Sequence, residues 1–143
     1  MEISKLSKKD RSYFKTAATV SEQSDHRCRI GCVVVNSHHI ISTGHNSATD
    51  EHGFQVRLNK KFFNVETGGP KHAEIDALLP LIRQRVDLTN ATLYIYRKNG
   101  LNHLAMSRPC PRCMSVIKQC GIKRLKYTTP DGFAIELLNK EEE

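Results

Sequence analysis

Residues 109–132 of the chain read PCPRCMSVIKQCGIKRLKYTTPDG, and this stretch passes from a helix pattern to a strand pattern. Pro109 predicts the start of a helix and Gly121 marks its end, because proline favours the first turn of a helix and glycine the position after the last. A β-rich run over 122–128 follows, and Pro130-Asp131-Gly132 is a turn that leads into a strand over 133–138. The stretch therefore predicts a helix followed by two strands.

The same alternation extends towards the start of the chain. Ser7 and Asp10 have the spacing of a helix start. The patterns predict, in chain order, a helix over about 8–23, strands over 30–35 and 40–44, a helix from His72 and a strand over 91–96. Pro80 predicts a kink or an early end of the second helix. This order predicts an α/β protein, a three-layer α/β/α sandwich with helices on both faces of a mixed sheet.

Two connections stand out from the regular elements. Residues 45–70 show no clear period and end in Gly68-Gly69-Pro70, which predicts a long loop of the kind that is usually functional. Asn99-Gly100 is a tight-turn signal, and 101–105 is predicted to return as a short strand.

The chain of 143 residues fits one domain with one active site. We expect a single domain over 1–143, with an N-terminal helix within 1–25, a core of about 28–138 and a flexible acidic tail at 139–143.

The composition excludes several classes of protein. Apolar residues make up 38% and charged residues 26%, which excludes disorder and low complexity. No run approaches the roughly 20 apolar residues of a membrane span, and MEISKLSKKD lacks the apolar run of a signal peptide, so we expect a cytosolic protein with no membrane partner. Two of the five cysteines form a Cys-x-x-Cys motif, which favours metal or redox chemistry over disulfides. The net charge of +7 favours phosphate-bearing partners, with solubility alone as the alternative.

Two short motifs carry the candidate chemistry, His72-Ala73-Glu74 and Pro109-Cys110-Pro111-Arg112-Cys113. Each falls at a predicted helix start, where the helix dipole lowers thiol pKa and favours thiolates. Together the motifs predict three zinc ligands, His72, Cys110 and Cys113, with the fourth tetrahedral position left for water. Glu74 is the predicted proton carrier, because two thiolates neutralise Zn²⁺ and leave the water needing a base.

A structural zinc site is the competing interpretation, and it requires a fourth protein ligand. Cys32 lies in a β run and is predicted to be a small buried residue, while Cys120 lies at a helix end, away from the face of Cys113. Cys28 remains open as a fourth ligand. A redox Cys-x-x-Cys would leave His72 and Glu74 without a function.

The His-x-Glu and Pro-Cys-x-x-Cys motifs resemble the signature of the zinc-dependent cytidine and deoxycytidylate deaminases. The resemblance covers about residues 28–128 and is closest to the deoxycytidylate (dCMP) deaminases, through MSVIKQCGIKRLKYTTPDG. It implies a cytidine-deaminase-like fold with a five-stranded mixed sheet, and a water that attacks the amino-bearing carbon while Glu74 moves the protons. Residues 98–108 depart from the family, in which the third strand passes to Pro-Cys within a few residues.

Four residues are candidate substrate contacts. Gly44-His45-Asn46-Ser47 resembles a family turn whose Asn contacts base or sugar, so Asn46 is predicted to bind substrate, with a local Asx-type turn as the alternative. Lys71 and Arg108 flank the metal motifs and would meet a phosphate, with a solvated surface role as the alternative. Ala73, between the first ligand and Glu74, completes the set.

The favoured function is hydrolytic deamination of a cytosine nucleotide, dCMP-like and with or without a 5-substituent, to the uracil nucleotide and ammonia. The first alternative is a polynucleotide deaminase acting on cytosine or adenine in RNA or single-stranded DNA, although an aromatic content of 6% offers few stacking platforms. The second is a non-catalytic, zinc-stabilised nucleic-acid-binding module. A homo-oligomer is expected from the family.

Overall fold

The computed structural model describes residues 6–48 and 71–138, together with Arg57 and Lys60. Helices and strands alternate in the predicted order. The elements are α1 (Lys8–Ser21), β1 (Arg29–Asn36), β2 (His39–His45), α2 (Ala73–Arg83), β3 (Thr92–Lys98), α3 (Pro111–Gln119), β4 (Arg124–Thr129) and β5 (Gly132–Leu137). Most of the predicted long loop over 45–70 and the predicted tail at 139–143 lie outside the described residues.

The five strands form one mixed sheet in the order β2-β1-β3-β4-β5. β3 and β4 run parallel, and the other neighbouring pairs are antiparallel. The parallel pair needs a crossover, and α3 supplies it between β3 and β4. In the described segments, no helix is long and apolar enough to cross a bilayer.

Each face of the sheet is covered by helices, as the three-layer prediction required. Alternate residues of β1 and β3 point to opposite faces, so Cys32 and Ile95 join the core under α2 and α3, whereas Val33 and Tyr94 join the core under α1. The α1 face is aromatic: the ring of Tyr94 packs against those of Tyr13 and Phe14 at centroid distances of 5.1 and 5.2 Å.

A glycine marks the closest approach of a helix to each face. A Cβ atom on Gly31 would lie 2.0 Å from the carbonyl oxygen of Ala17 in α1, and one on Gly44 would lie 2.4 Å from the backbone nitrogen of Ala77 in α2. Any side chain at these positions collides with helix backbone, which cannot move away as a flexible side chain can. The two helices therefore rest directly on the sheet.

A buried carboxylate on the α1 face is fully engaged. The Oδ1 atom of Asp10 accepts hydrogen bonds from the hydroxyl of Tyr94 at 2.6 Å and from Nζ of Lys126 at 2.9 Å. Burial alone would raise the pKa of Asp10, but these donors and the positive charge of Lys126 outweigh it and lower the pKa. The triad ties α1 to β3 and β4.

Two local predictions need correction. The predicted strand over 101–105 is reduced to a single bridge between Lys98 and Leu104, because the side-chain oxygen of Asn99 accepts from the backbone N–H groups of Leu101 and His103 and curls the chain. Pro80 does not end the second helix, which continues to Arg83. Pro80 costs the helix one backbone bond, the one its N–H would have donated to Asp76. The N–H of Gln84 still donates to the carbonyl of Pro80 at 3.1 Å, so the helical turn continues past the proline.

Candidate metal centre and active site

A cavity of about 410 Å³ opens at the end of the sheet where α2 and α3 begin. Both predicted motifs contribute to its wall, as do the chain before β1 and the end of β3. Side chains that can bond to a ligand or bind a metal make up much of the lining, among them His26, Cys28, Asn46, Lys71, His72, Glu74, Arg97, Arg108 and Cys110.

Two ligand candidates occupy equivalent positions, since each is the residue immediately before the first turn of a helix. His72 precedes α2 and Cys110 precedes α3, both with extended backbone, and neither side chain caps its own helix. The carbonyl of His72 accepts from the N–H of Asp76 at 3.0 Å and that of Cys110 from the N–H of Met114 at 2.8 Å, so helical bonding starts immediately. Both side chains remain available to a ligand in the cavity.

His72, Cys110 and Cys113 come together as their spacing predicted, with their ligand atoms within 4.8 Å of one another. The Nδ1 atom of His72 lies 3.3 Å from Sγ of Cys113 and 3.7 Å from Sγ of Cys110. A tetrahedral zinc with ordinary Zn–N and Zn–S bond lengths would separate these atom types by about 3.6 Å. The donor set and its spacing therefore fit Zn²⁺.

In the described part of the chain, the cluster holds three ligands and no fourth. Cys28 lines the same cavity without joining the cluster. Cys32 is fully buried in β1, and Cys120 follows the end of α3. An open position is the arrangement of a catalytic site rather than a structural one.

The two thiols share a proton unequally. A hydrogen bond from Cys113 lowers the pKa of Cys110 to about 3, whereas the same bond, together with burial, raises the pKa of Cys113. One thiolate therefore forms readily, and the second requires a nearby positive charge. A divalent cation between the sulfurs would provide that charge.

Glu74 lies in the first turn of α2, buried and on the cavity wall. Burial raises the pKa of its carboxyl, partly offset by a hydrogen bond from its own backbone N–H. No ion pair to Glu74 is present among the described residues. Its position two residues after His72 puts a carboxylate in the same cavity as the cluster.

Asn46 lines the cavity, but its side chain is already engaged. Oδ1 accepts from Oγ of Ser24 at 2.6 Å and from the N–H of Ile30 at 2.9 Å, while Nδ2 donates to the carbonyl of Cys28 at 2.7 Å. These partners are 16 to 22 residues away, unlike those of a local Asx turn. Asn46 thus anchors the segment before β1, and one N–H of Nδ2 is left for the predicted substrate contact.

The other predicted substrate contacts also line the cavity. Nζ of Lys71 lies 3.4 Å from a carboxylate oxygen of Asp76. The guanidinium of Arg108 donates two hydrogen bonds of 2.9 Å to the carboxylate of Glu136. Ala73, the middle residue of the His72-Ala73-Glu74 motif, is fully buried. Both cations therefore have acidic partners, and their roles towards a phosphate stay predictions.

Two basic residues of the cavity wall were not predicted from the sequence, His26 and Arg97. His26 precedes β1 in an irregular segment that shows no motif. Arg97 follows Leu93 and Ile95 on the buried face of β3, and this alternation was the signal that could have placed it in the cavity.

The sequence profile of the family described as "Cytidine and deoxycytidylate deaminase zinc-binding region" matches residues 7–129. A deoxycytidylate deaminase of Saccharomyces cerevisiae is 34% identical over 126 residues, covering 82% of this chain. The chain spans 36% of the length of that relative.

Solved structures show the same fold. The dCMP deaminase of cyanophage S-TIM5 superposes with a TM-score of 0.59 at 24% identity, covering 85% of this chain and 84% of its own. The cytidine deaminase of Burkholderia pseudomallei gives 0.62 at 13% identity, covering 92% and 93%. The three-layer sandwich is therefore the cytidine-deaminase-like fold that the motifs implied. With its five-stranded sheet and a family match over most of its length, the chain belongs to the cytidine and deoxycytidylate deaminases.

Proposed function

We propose that this chain is a zinc-dependent hydrolase that converts a cytosine nucleotide of the dCMP type, with or without a 5-substituent, into the uracil nucleotide and ammonia. The observation that carries the proposal is the cluster of His72, Cys110 and Cys113, open on one side, with the carboxylate of Glu74 in the same cavity. The names of the relatives support the nucleotide over the free base, and the cyanophage enzyme has been solved with dCMP and dUMP.

The chemistry needs a nucleophile and a proton carrier. Zinc, when bound, supplies the first by lowering the pKa of a water molecule. Glu74 accepts the proton of that water and delivers it to the ring nitrogen, which makes C4 of the cytosine more electrophilic. A C–O bond forms at C4, and Glu74 then takes the proton of the new C4 hydroxyl and passes it to the amino group. The C–N bond breaks, ammonia leaves and C4 becomes the carbonyl of the uracil.

A substrate panel tests the proposal. Purified zinc-loaded protein is incubated with dCMP, CMP, dCTP and 5-substituted dCMP, and the loss of cytosine absorbance is measured alongside ammonia release. We expect equal amounts of uracil nucleotide and ammonia from at least one member of the panel. Stoichiometric zinc with no turnover of any of them contradicts the proposal.

A basic cluster favours a second candidate, deamination of a cytosine or adenine in a polynucleotide. Arg27, Arg29 and Lys98 surround a further cavity of about 290 Å³, and the Nζ of Lys98 lies 5.9 Å from the ring centroid of Tyr96. Glu22 also lines this cavity, but among the described residues no carboxylate forms an ion pair with these three cations. Salt-sensitive binding of a single-stranded oligonucleotide followed by base conversion, without conversion of free nucleotides, would favour this candidate.

The same proposal includes one folded domain and assembly into a homo-oligomer. A single cooperative unfolding transition and a mass above 16.2 kDa in light scattering are the expected results.

A further inference from the structure

The cationic side chains that line the main cavity differ in how they are paired. Lys71 lies against Asp76, and Arg108 is held bidentately by Glu136. The guanidinium of Arg97 donates one hydrogen bond of 3.1 Å, from Nη1 to the carbonyl oxygen of Met106. Within residues 6–48 and 71–138, no carboxylate forms an ion pair with Arg97.

The Nε atom of Arg97 is buried and has no hydrogen-bond acceptor in the described structure. A buried donor without an acceptor is unfavourable, and it is more so in a charged group. The edge of a guanidinium formed by Nε and Nη2 is the one that binds two oxygens of a phosphate or carboxylate at once. Turning this edge towards an anion in the cavity would break no existing hydrogen bond of Nε.

The sheet register places Arg97 beside the segment that precedes β1. Arg97 pairs with Ile30 across β3 and β1. Both residues line the cavity together with Cys28, which precedes β1. The N–H of Cys28 donates to Nδ1 of His26 at 2.9 Å. In the neutral ring, Nε2 therefore carries the hydrogen, and His26 is a second donor on the same cavity wall.

We propose that Arg97, with His26 beside it, binds the phosphate of the nucleotide substrate and so makes the enzyme distinguish a nucleotide from a nucleoside. This assignment rests on the proposed function and names the group that recognises its substrate. Arg97 supplies the charge and the two-donor edge, and His26 adds a further donor through Nε2. Arg97 directly precedes residues 98–108, the segment in which this chain departs from its family.

The test compares a substrate with and without the phosphate. Zinc-loaded wild type, Arg97→Gln and His26→Gln are assayed with dCMP and with deoxycytidine. For Arg97→Gln we expect the KM for dCMP to rise on the order of 30-fold, the loss of a charged hydrogen bond, with little change in kcat. For His26→Gln we expect a rise of roughly 5-fold. Deoxycytidine kinetics stay at the wild-type level in both variants.

Two further variants separate charge from position. Arg97→Lys keeps the charge but not the two-donor edge, and we expect a KM between those of wild type and Arg97→Gln. Arg11→Gln makes the same charge change at an exposed position of α1, away from the cavity, and we expect no effect on either substrate. Zinc content is measured for every variant.

If Arg97→Gln lowers the turnover of dCMP and of deoxycytidine by the same factor, Arg97 supports the structure of the 98–108 segment. That result would overturn the proposal. A wild-type protein that deaminates neither compound, nor CMP, dCTP or 5-substituted dCMP, would contradict the proposed function instead. Calorimetric binding of dUMP and of deoxyuridine then decides on Arg97. A preference for dUMP that Arg97→Gln abolishes supports the phosphate site, and no preference, or one that survives the substitution, overturns it.

Discussion

The two faces of the sheet are built alike and treat a buried carboxylate in opposite ways. Each face has a glycine against which a helix backbone rests, Gly31 under α1 and Gly44 under α2. On the α1 face, Asp10 has two strong donors and a lowered pKa. On the α2 face, Glu74 is buried without an ion-pair partner among the described residues, and its pKa is raised. One face pairs its acid with two donors, and the other leaves its acid without an ion-pair partner on the cavity wall, as the proposed proton carrier requires.

The sharpest test of this contrast is Glu74→Gln. We expect kcat for the cytosine nucleotide to fall on the order of 10³-fold, because an amide cannot carry a proton between water and the base. The midpoint of thermal unfolding should stay level or rise, since a neutral amide is easier to bury than a carboxylate. Activity assays and differential scanning calorimetry measure the two effects. A clear fall in the unfolding temperature with zinc content intact would mean that Glu74 is structural.

The two glycines provide a matched pair of substitutions. Both Gly44→Ala and Gly31→Ala should destabilise the fold by about 3 kcal/mol, because the added Cβ overlaps helix backbone. Gly44→Ala additionally displaces the start of α2, where a Cβ at position 44 would lie 2.5 Å from the carbonyl oxygen of Ala73. We expect Gly44→Ala to lose zinc affinity and Gly31→Ala to keep it. Metal titration of the folded fraction checks this, and equal zinc affinities would show that the α2 contact does not position the site.

Asp10→Asn is the counterpart of Glu74→Gln. It should lower the free energy of unfolding by about 2 kcal/mol, because Lys126 loses its buried partner and the bond from Tyr94 weakens. The kcat of the folded protein should not change. Urea unfolding followed by circular dichroism measures the stability. If kcat falls as much in Asp10→Asn as in Glu74→Gln, the proposed difference between the two faces is contradicted.

The smallest expected effect is the pH dependence of the difference in unfolding free energy between the wild type and Asp10→Asn. The folded pKa of Asp10 lies below its ordinary value, so its ionised form stabilises the fold above that value and the stabilisation is lost as pH falls through the folded pKa. The gap between wild type and Asp10→Asn should be constant from about pH 7 to pH 5 and shrink below about pH 4. Unfolding curves at each pH give the gap. A stability difference that grows below about pH 4 would contradict a lowered folded pKa of Asp10.

Local patterns were sufficient to predict the layers and the three metal-ligand candidates. His72 and Cys110 are identifiable because each lies in a short motif at a helix start, and helix starts are marked by local sequence. Local patterns do not predict the contacts made by Asn46, by Arg97 or by the triad of Asp10, Tyr94 and Lys126. Their partners lie 9 to 116 residues away, and such contacts depend on how the strands register. The short strand after Asn99 was wrong for a local reason, since the Asn99 side chain competes with the strand for backbone N–H groups.

The cluster also joins distant parts of the chain. His72 and Cys110 lie 38 positions apart in the chain, and the segment between them includes all of α2 and all of β3. A metal held between them would act as a cross-link that closes this segment into a ring, and closing such a ring in an unfolded chain costs about 3 kcal/mol of entropy. Chelation would then return this entropy to the unfolded chain, so the metal-free protein should unfold at a lower temperature than the zinc-bound one.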